Sequence, residues 1–301
     1  MTTPAQRSLS LSKGKEFDRL TGARWWREIG WRHFIGVIVI GYAIFPVVFV
    51  ISASLNATGS LVGSSRLFSS FSPANFAALN ETQFWSWIGN SLWIGAVTSV
   101  GSVLMGAAAA YAFSRFRFSG RRAGLMTLLV VQMFPQLLTF VAIFLLLNAL
   151  GDLHPLLGLN SRIALIMVYL GGALGMNTFL MYGFFNTVPK ELDEAAKVDG
   201  ASHLQIFFVI ILRLVAPILA VTGLLGFIGT FSDYLLAGII LTDESKWTVA
   251  VGLFQFVSEQ NSARWGLFAA GAVITAIPVV VLFLVLQRYI VSGLTAGAVK
   301  G

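Results

Sequence analysis

The sequence predicts an all-α polytopic membrane protein, a helical bundle with six transmembrane helices. Three observations carry that expectation. Of the 301 residues, 56% are apolar and only 11% are charged, whereas about a quarter are charged in a soluble domain. The charges cluster: no charged residue lies between Arg122 and Asp152, between Arg162 and Lys190, or between Arg264 and Arg288. Each gap exceeds the roughly 20 apolar residues that a spanning helix needs. Finally, Lys and Arg fall mostly on alternate loops, as the positive-inside rule requires.

Taken in order, residues 1–33 form a polar, basic segment that precedes the first apolar run. That run, 34–55, is longer than the 7–15-residue core of a secretory signal, so it reads as an uncleaved first helix. Residues 56–86 form an extracytoplasmic loop rich in Ser, Asn and Gly. A core of five further spans occupies 87–287, at 87–113, 123–147, 163–185, 215–241 and 265–287. Residues 288–301 make a short tail. Trp25, Trp26 and Trp31 precede the first span, and Trp85, Trp87 and Trp93 open the second, where interfacial aromatics belong. Pro135 and Pro278 fall within spans and predict kinks. Gly171 and Gly175 have the G-x-x-x-G spacing of close helix packing.

Of the 20 Lys and Arg residues, seven precede the first span (Arg7, Lys13, Lys15, Arg19, Arg24, Arg27, Arg32). Four lie between the second and third spans (Arg115, Arg117, Arg121, Arg122) and three between the fourth and fifth (Lys190, Lys197, Arg213). Arg288 and Lys300 follow the sixth. Both termini are therefore expected in the cytoplasm, with the protein multi-pass in the cytoplasmic (inner) membrane. Topology accounts for the formal charge of +7, so nucleic acid is not an expected partner; membrane lipid is.

Cysteine is absent, which excludes disulfides and thiolate chemistry. His33, His154 and His203 are scattered, so no metal or other cofactor is expected. No paired catalytic groups stand at membrane depth, and the chain reads as no enzyme. Asn56 and Asn80 open N-x-T triplets that read as chance. Asp233 is the one ionisable side chain well inside a span, where a carboxylate costs roughly 2.5–3.5 kcal/mol on insertion scales. It is either a pore or gate group or a helix-packing hydrogen-bond partner. Asn90, Gln132 and Asn177 are further polar candidates for helix contacts.

The stretch 189–212, PKELDEAAKVDGASHLQIFFVIIL, is the most informative. Pro189 suits a helix start, and Glu191 with Asp193 complements the helix dipole. Leu192, Ala195 and Ala196 give a small, smooth face. Gly200 ends the helix, and Ser202 with Gln205 makes a capping box that starts another. Leu204, Phe207, Phe208 and Ile211 then recur at i, i+3, i+4 and i+7. Such a hairpin either packs beneath the bundle or docks a partner.

Glu194-Ala195-Ala196-x-x-Asp199-Gly200-Ala201 resembles the EAA motif of binding-protein-dependent ABC importer permeases. The resemblance implies a type I importer permease fold and a cytoplasmic coupling helix seated in a cleft of the ATPase. By resemblance Glu194 meets a basic ATPase residue, Gly200 permits the turn, and Ala195 and Ala196 seat the helix, with Asp199, Ala201, Phe207 and Phe208 beside them. The family usually carries proline where this chain has Arg213; Pro217 is placed to supply the bend instead. The chain has no G-x-x-x-x-G-K-[ST] loop, so its ATPase must be separate.

Gln132-Met133-Phe134-Pro135, Tyr169-Leu170-Gly171-Gly172 and the tail from Gly293 to Gly301 sharpen the resemblance to maltose-type sugar permeases of the smaller, six-span kind. Implied partners are a second permease subunit in a heterodimer, a cytoplasmic ATPase dimer, an extracytoplasmic sugar-binding protein and an oligosaccharide such as maltose or maltodextrin. The tail, with Gly297, Lys300 and Gly301, is implied to reach the ATPase dimer interface. The loop 242–263 is implied to probe the binding protein's sugar cleft, against the plainer reading of a solvent-exposed connection. Another sugar such as trehalose remains an alternative, and an ion-coupled carrier a remote one that one intramembrane carboxylate poorly supports.

Overall fold

The computed structural model describes residues 22–57, 66–172, 174–258 and 264–298. Among these every regular element is helical. The chain divides into two units, Met1–Phe49 and Val50–Gly301.

The first unit is the body of one helix, α1 (Trp31–Ser54), entered through a π-turn at Trp26–Gly30. Its side chains from Phe34 to Val47 are exposed, among them Val37, Ile38, Ile40 and Tyr42. An all-round apolar helix with no buried stripe is what a lipid environment accommodates.

In the second unit, α2 (Phe84–Arg115) and α11 (Trp265–Ala298) are each long and apolar enough to span alone. The other spans are broken. Helices α3 (Arg121–Gln132) and α4 (Gln136–Leu153) meet at 98° across Pro135, which cannot donate the hydrogen bond that would continue the helix. Helices α5 (Arg162–Gly172) and α6 (Met176–Phe185) meet at 49°. A third bend of 82° falls between His203–Leu214 and α8 (Ala216–Ser232), and α9 (Leu235–Ile240) follows after another break. Counting each bent pair as one span gives six, in keeping with the sequence.

Helix α2 is the axis of this unit. Its small residues let neighbours approach: Gly95 lies under the Phe227 ring, Gly106 faces Met181, and Ala107 and Ala110 are fully buried. With no hydrophobic drive between helices in lipid, such close packing and hydrogen bonds like Ser99 Oγ to the Gly223 carbonyl (2.6 Å) hold the spans together.

Three features go beyond the sequence reading. Trp87 is not exposed like Trp85 and Trp93; it is 2% exposed. Its indole N–H donates to the Glu244 carbonyl (2.9 Å), and its ring packs against Trp247 and Phe256. Gly171 and Gly175 do not form one packing stripe, because the helix stops between them. Gly171 has open space around it, while Gly175 abuts the Gln132 side chain. Finally, the described part of the 242–263 loop, 242–258, is tied into the bundle. Asn90 donates to the Ser245 and Trp247 carbonyls, Ser91 Oγ accepts from the Val249 N–H, and helix α10 (Val249–Ser258) is largely buried. Within this loop two hydrogen bonds from Ser245, hydroxyl then backbone N–H, hold the Asp243 carboxyl below the usual carboxylate range, helped by Lys246.

Gly252 of α10 lies so close to Trp87 that an added Cβ would sit 2.1 Å from the ring. Gly252→Val is therefore expected to displace Trp87 and release its bond to Glu244. Overpacking costs typically 1–3 kcal/mol, read as a lowered thermal midpoint of the purified protein.

Pro278 lies inside the unbroken helix α11. Asn56 is 2% exposed and Asn80 accepts from the Trp85 indole N–H, which leaves both N-x-T asparagines in structural roles.

Candidate functional site

The hairpin begins with α7 (Glu191–Val198), whose first turn carries Glu191, Asp193 and Glu194 at the positive end of its dipole. Gly200 adopts φ +84°, a left-handed conformation that a Cβ disfavours, and ends the helix there. The Gly200 and Ala201 N–H groups return to the Lys197 and Ala196 carbonyls. Ser202 and Gln205 close the expected capping box: Gln205 N–H donates to Ser202 Oγ (3.3 Å) and Ser202 N–H to Gln205 Oε1 (2.7 Å). A π-helical stretch, Ile206–Ile211, continues to the 82° bend. That bend sits at Val215, with Pro217 in the first turn of α8. The elbow exists without proline at 213.

One face of the hairpin belongs to the bundle. Ala196, Ile206, Phe207 and Ile211 are buried in one cluster with Ala107, Tyr111, Met181 and Phe185 of α2 and α6. Phe207 meets the Tyr111 ring at 5.2 Å between centroids. The opposite face is exposed: Glu194, Ala195, Asp199 and Gly200, with Val198 88%, Leu204 70% and Phe208 54% exposed. The two alanines therefore split, Ala195 outward and Ala196 inward, and so do the two phenylalanines. Ala201 is intermediate. The expected face Leu204, Phe207, Phe208 and Ile211 is likewise divided, because a π-turn advances each residue by less rotation than an α-turn.

Arg115, at the end of α2, fixes the hairpin to the spans. Its Nε pairs with Asp193 at 2.5 Å, and its Nη groups donate to the Phe185 (3.1 Å) and Val188 (3.0 Å) carbonyls. The Arg115 and Asp193 side chains are 5% and 8% exposed. The planar guanidinium holds one ion pair and two carbonyl hydrogen bonds at once, which an ammonium could not reach from one position. Sequence reasoning counted Arg115 only as a cytoplasmic charge and Asp193 only as a dipole partner. No local spacing links residues so far apart.

Asp233 stands at the break between α8 and α9, not inside a helix. Its Oδ1 accepts from the Leu235 and Leu236 N–H groups, and its Oδ2 from the Tyr169 hydroxyl at 2.6 Å. The packing-and-capping role is thus the one its geometry supports. Asn90 also accepts from Arg162, while Gln132 Nε2 reaches the Gly172 carbonyl only at 3.5 Å. Among the described residues no group of His, Asp and Glu could hold a metal ion. Gly297 lies in the last turn of α11, whereas Lys300 and Gly301 lie outside the described residues.

Residues 102–295 match the family described as binding-protein-dependent transport system inner membrane component. Over 273 residues the chain is 41% identical to the galactooligosaccharides transport system permease protein of Bacillus subtilis, covering 89% of this chain and 93% of that one. It is 40% identical to the maltodextrin transport system permease protein of the same organism, covering 86% and 91%. The maltose/maltodextrin transport system permease protein of Escherichia coli K12 is 37% identical, at 89% and 95% coverage. Among solved structures, a bacterial ABC transporter involved in import of the acidic polysaccharide alginate aligns with TM-score 0.72 and 25% identity, covering 89% of this chain and 99% of that chain.

Proposed function

The chain belongs to the family of binding-protein-dependent transport system inner membrane components, and from that premise we propose that it carries maltodextrin-like oligosaccharides inward across the cytoplasmic membrane. It is a permease subunit of an ABC importer, a transport component and not an enzyme, with ATP hydrolysed in a separate subunit. In our reading it pairs with a second, non-identical permease subunit. A cytoplasmic ATPase dimer docks below, and an extracytoplasmic sugar-binding protein delivers the cargo. Both termini face the cytoplasm.

The observation that carries the coupling role is the two-faced hairpin. One face is continuous with the core of α2 and α6, and the other presents Glu194, Ala195, Val198, Asp199, Leu204 and Phe208 to a partner. A force applied to the exposed face reaches the spans through Arg115 and Phe207. Small alanine and flanking acidic groups fit a shallow cleft lined with basic side chains. The sugar assignment is supported by the maltodextrin and galactooligosaccharide relatives. Its test is ATP-dependent uptake of labelled maltotriose by proteoliposomes holding the complete transporter, with galactotriose as competitor. Uptake of neither sugar would refute it.

Glu194→Lys is expected to lower transport about tenfold, the equivalent of roughly 1.4 kcal/mol in docking, with the hairpin's fold intact because Glu194 is exposed. Uptake measured against ATPase concentration checks this; a weakened, saturable response is the expected signature.

A further inference from the structure

The break between α8 and α9 exposes a site that the coupling role does not use. Helix α8 ends at Ser232, and Asp233 and Tyr234 leave the helical path before α9 resumes at Leu235. Non-helical backbone at membrane depth is tolerated where it is buried in protein or lines a watered cavity, and secondary transporters place substrate at such discontinuities. Here the freed N–H groups of Leu235 and Leu236 are satisfied by Asp233, so the break is built and fixed. Tyr169 locks the same carboxylate from a neighbouring span.

Beside the break lies a cleft of about 350 Å³, within the range of small-molecule sites. The Tyr234 and Phe254 rings stack on each other in its wall, 4.6 Å between centroids and 23° between planes. Each keeps some two-fifths of its surface exposed, at 40% and 42%. Trp247, Gln255 and Thr242 complete the wall. Flat aromatic surface accepts the C–H face of a pyranose ring, while an amide and hydroxyls at the edge meet its equatorial hydroxyls. Apolar cargo would have no use for Gln255 and Thr242, and charged cargo would find no ion here: among the residues lining the cleft none is charged.

We propose that the Tyr234–Phe254 cleft is a subsite for one neutral sugar ring of the cargo, contributed by this subunit. The proposal rests on the oligosaccharide reading above. Asp233 and Tyr169 are positioning residues, holding the break open without touching sugar.

The test uses the assembled transporter without its binding protein, so that sugar signals come from the membrane subunits. Saturation-transfer NMR with maltotriose, and separately galactotriose, is expected to show transfer to ring protons in the wild type. Tyr234→Ala with Phe254→Ala should cut that transfer several-fold and raise the KM for uptake about tenfold. Tyr234→Trp, which keeps a stacking face, should retain both. Co-elution with the ATPase reports that the variants assemble. Equal transfer in wild type and double variant overturns the subsite, as does absence of transfer from both sugars in the wild type. Wild type that imports neither sugar, yet shows transfer lost on removing the rings, refutes the cargo assignment and leaves the subsite standing.

Discussion

Alanine in place of Arg115 is expected to abolish coupled transport and to lower thermal stability sharply. The substitution removes three interactions at once and leaves Asp193, 8% exposed, as a buried carboxylate with no counter-charge. Breaking a buried pair by deleting one partner costs about 3–5 kcal/mol, a large part of the roughly 5–15 kcal/mol that holds a domain. The Phe185 and Val188 carbonyls also lose their donor. Because neutralising both partners removes the stranded charge, Arg115→Ala with Asp193→Ala should be less damaging than the sum of the single substitutions. Thermal unfolding and uptake measured on all four proteins would establish this. Strictly additive losses would show that the pair does not anchor the hairpin.

Aspartate at both Leu204 and Phe208 should give the opposite signature, a stable subunit that no longer retains its ATPase. Both side chains are exposed, 70% and 54%, so charge there costs the isolated fold little. Apolar anchors at an interface centre are worth about 2–4 kcal/mol each when removed, and buried charge adds desolvation. Size-exclusion chromatography of the mixed subunits should show the ATPase eluting alone. Phe207→Ala provides the contrast. Phe207 is 6% exposed against Tyr111, and Phe-to-Ala in a core costs about 3–5 kcal/mol, so that variant should lose stability first. Retention of the ATPase by the double aspartate variant would move the docking surface elsewhere.

The apolar helices were legible because hydropathy and charge are local: a stretch without Lys, Arg, Asp or Glu announces itself. The capping box at Ser202 and the turn at Gly200 were legible for the same reason, since their partners are within five residues. Pro135 announced its break by lacking an N–H. The breaks after Gly172 and at Asp233 carried no such mark, and both runs read as continuous spans. Trp87 marked the start of a span by position, but its burial was silent, since its partner carbonyl at Glu244 is 157 residues away. The Arg115 contacts, 70 and 73 residues distant, were equally silent. Which of Ala195 and Ala196 faces inward depends on how the whole helix α7 is seated against the bundle, and which of Phe207 and Phe208 does so depends on the π-helical stretch. Phe207, the inward one, packs against Tyr111.

Helix α11 runs unbroken for 34 residues. At 1.5 Å per residue it is about 51 Å long, while the hydrocarbon layer is only about 30 Å thick. Tilt absorbs part of the difference, but roughly two or three turns must stand clear of the oil as a rigid spar. Because the chain stays helical to Ala298, a displacement of the membrane-embedded part is carried to the tip, next to Gly297, more directly than through coil. A flexible tail of equal length would average that motion away.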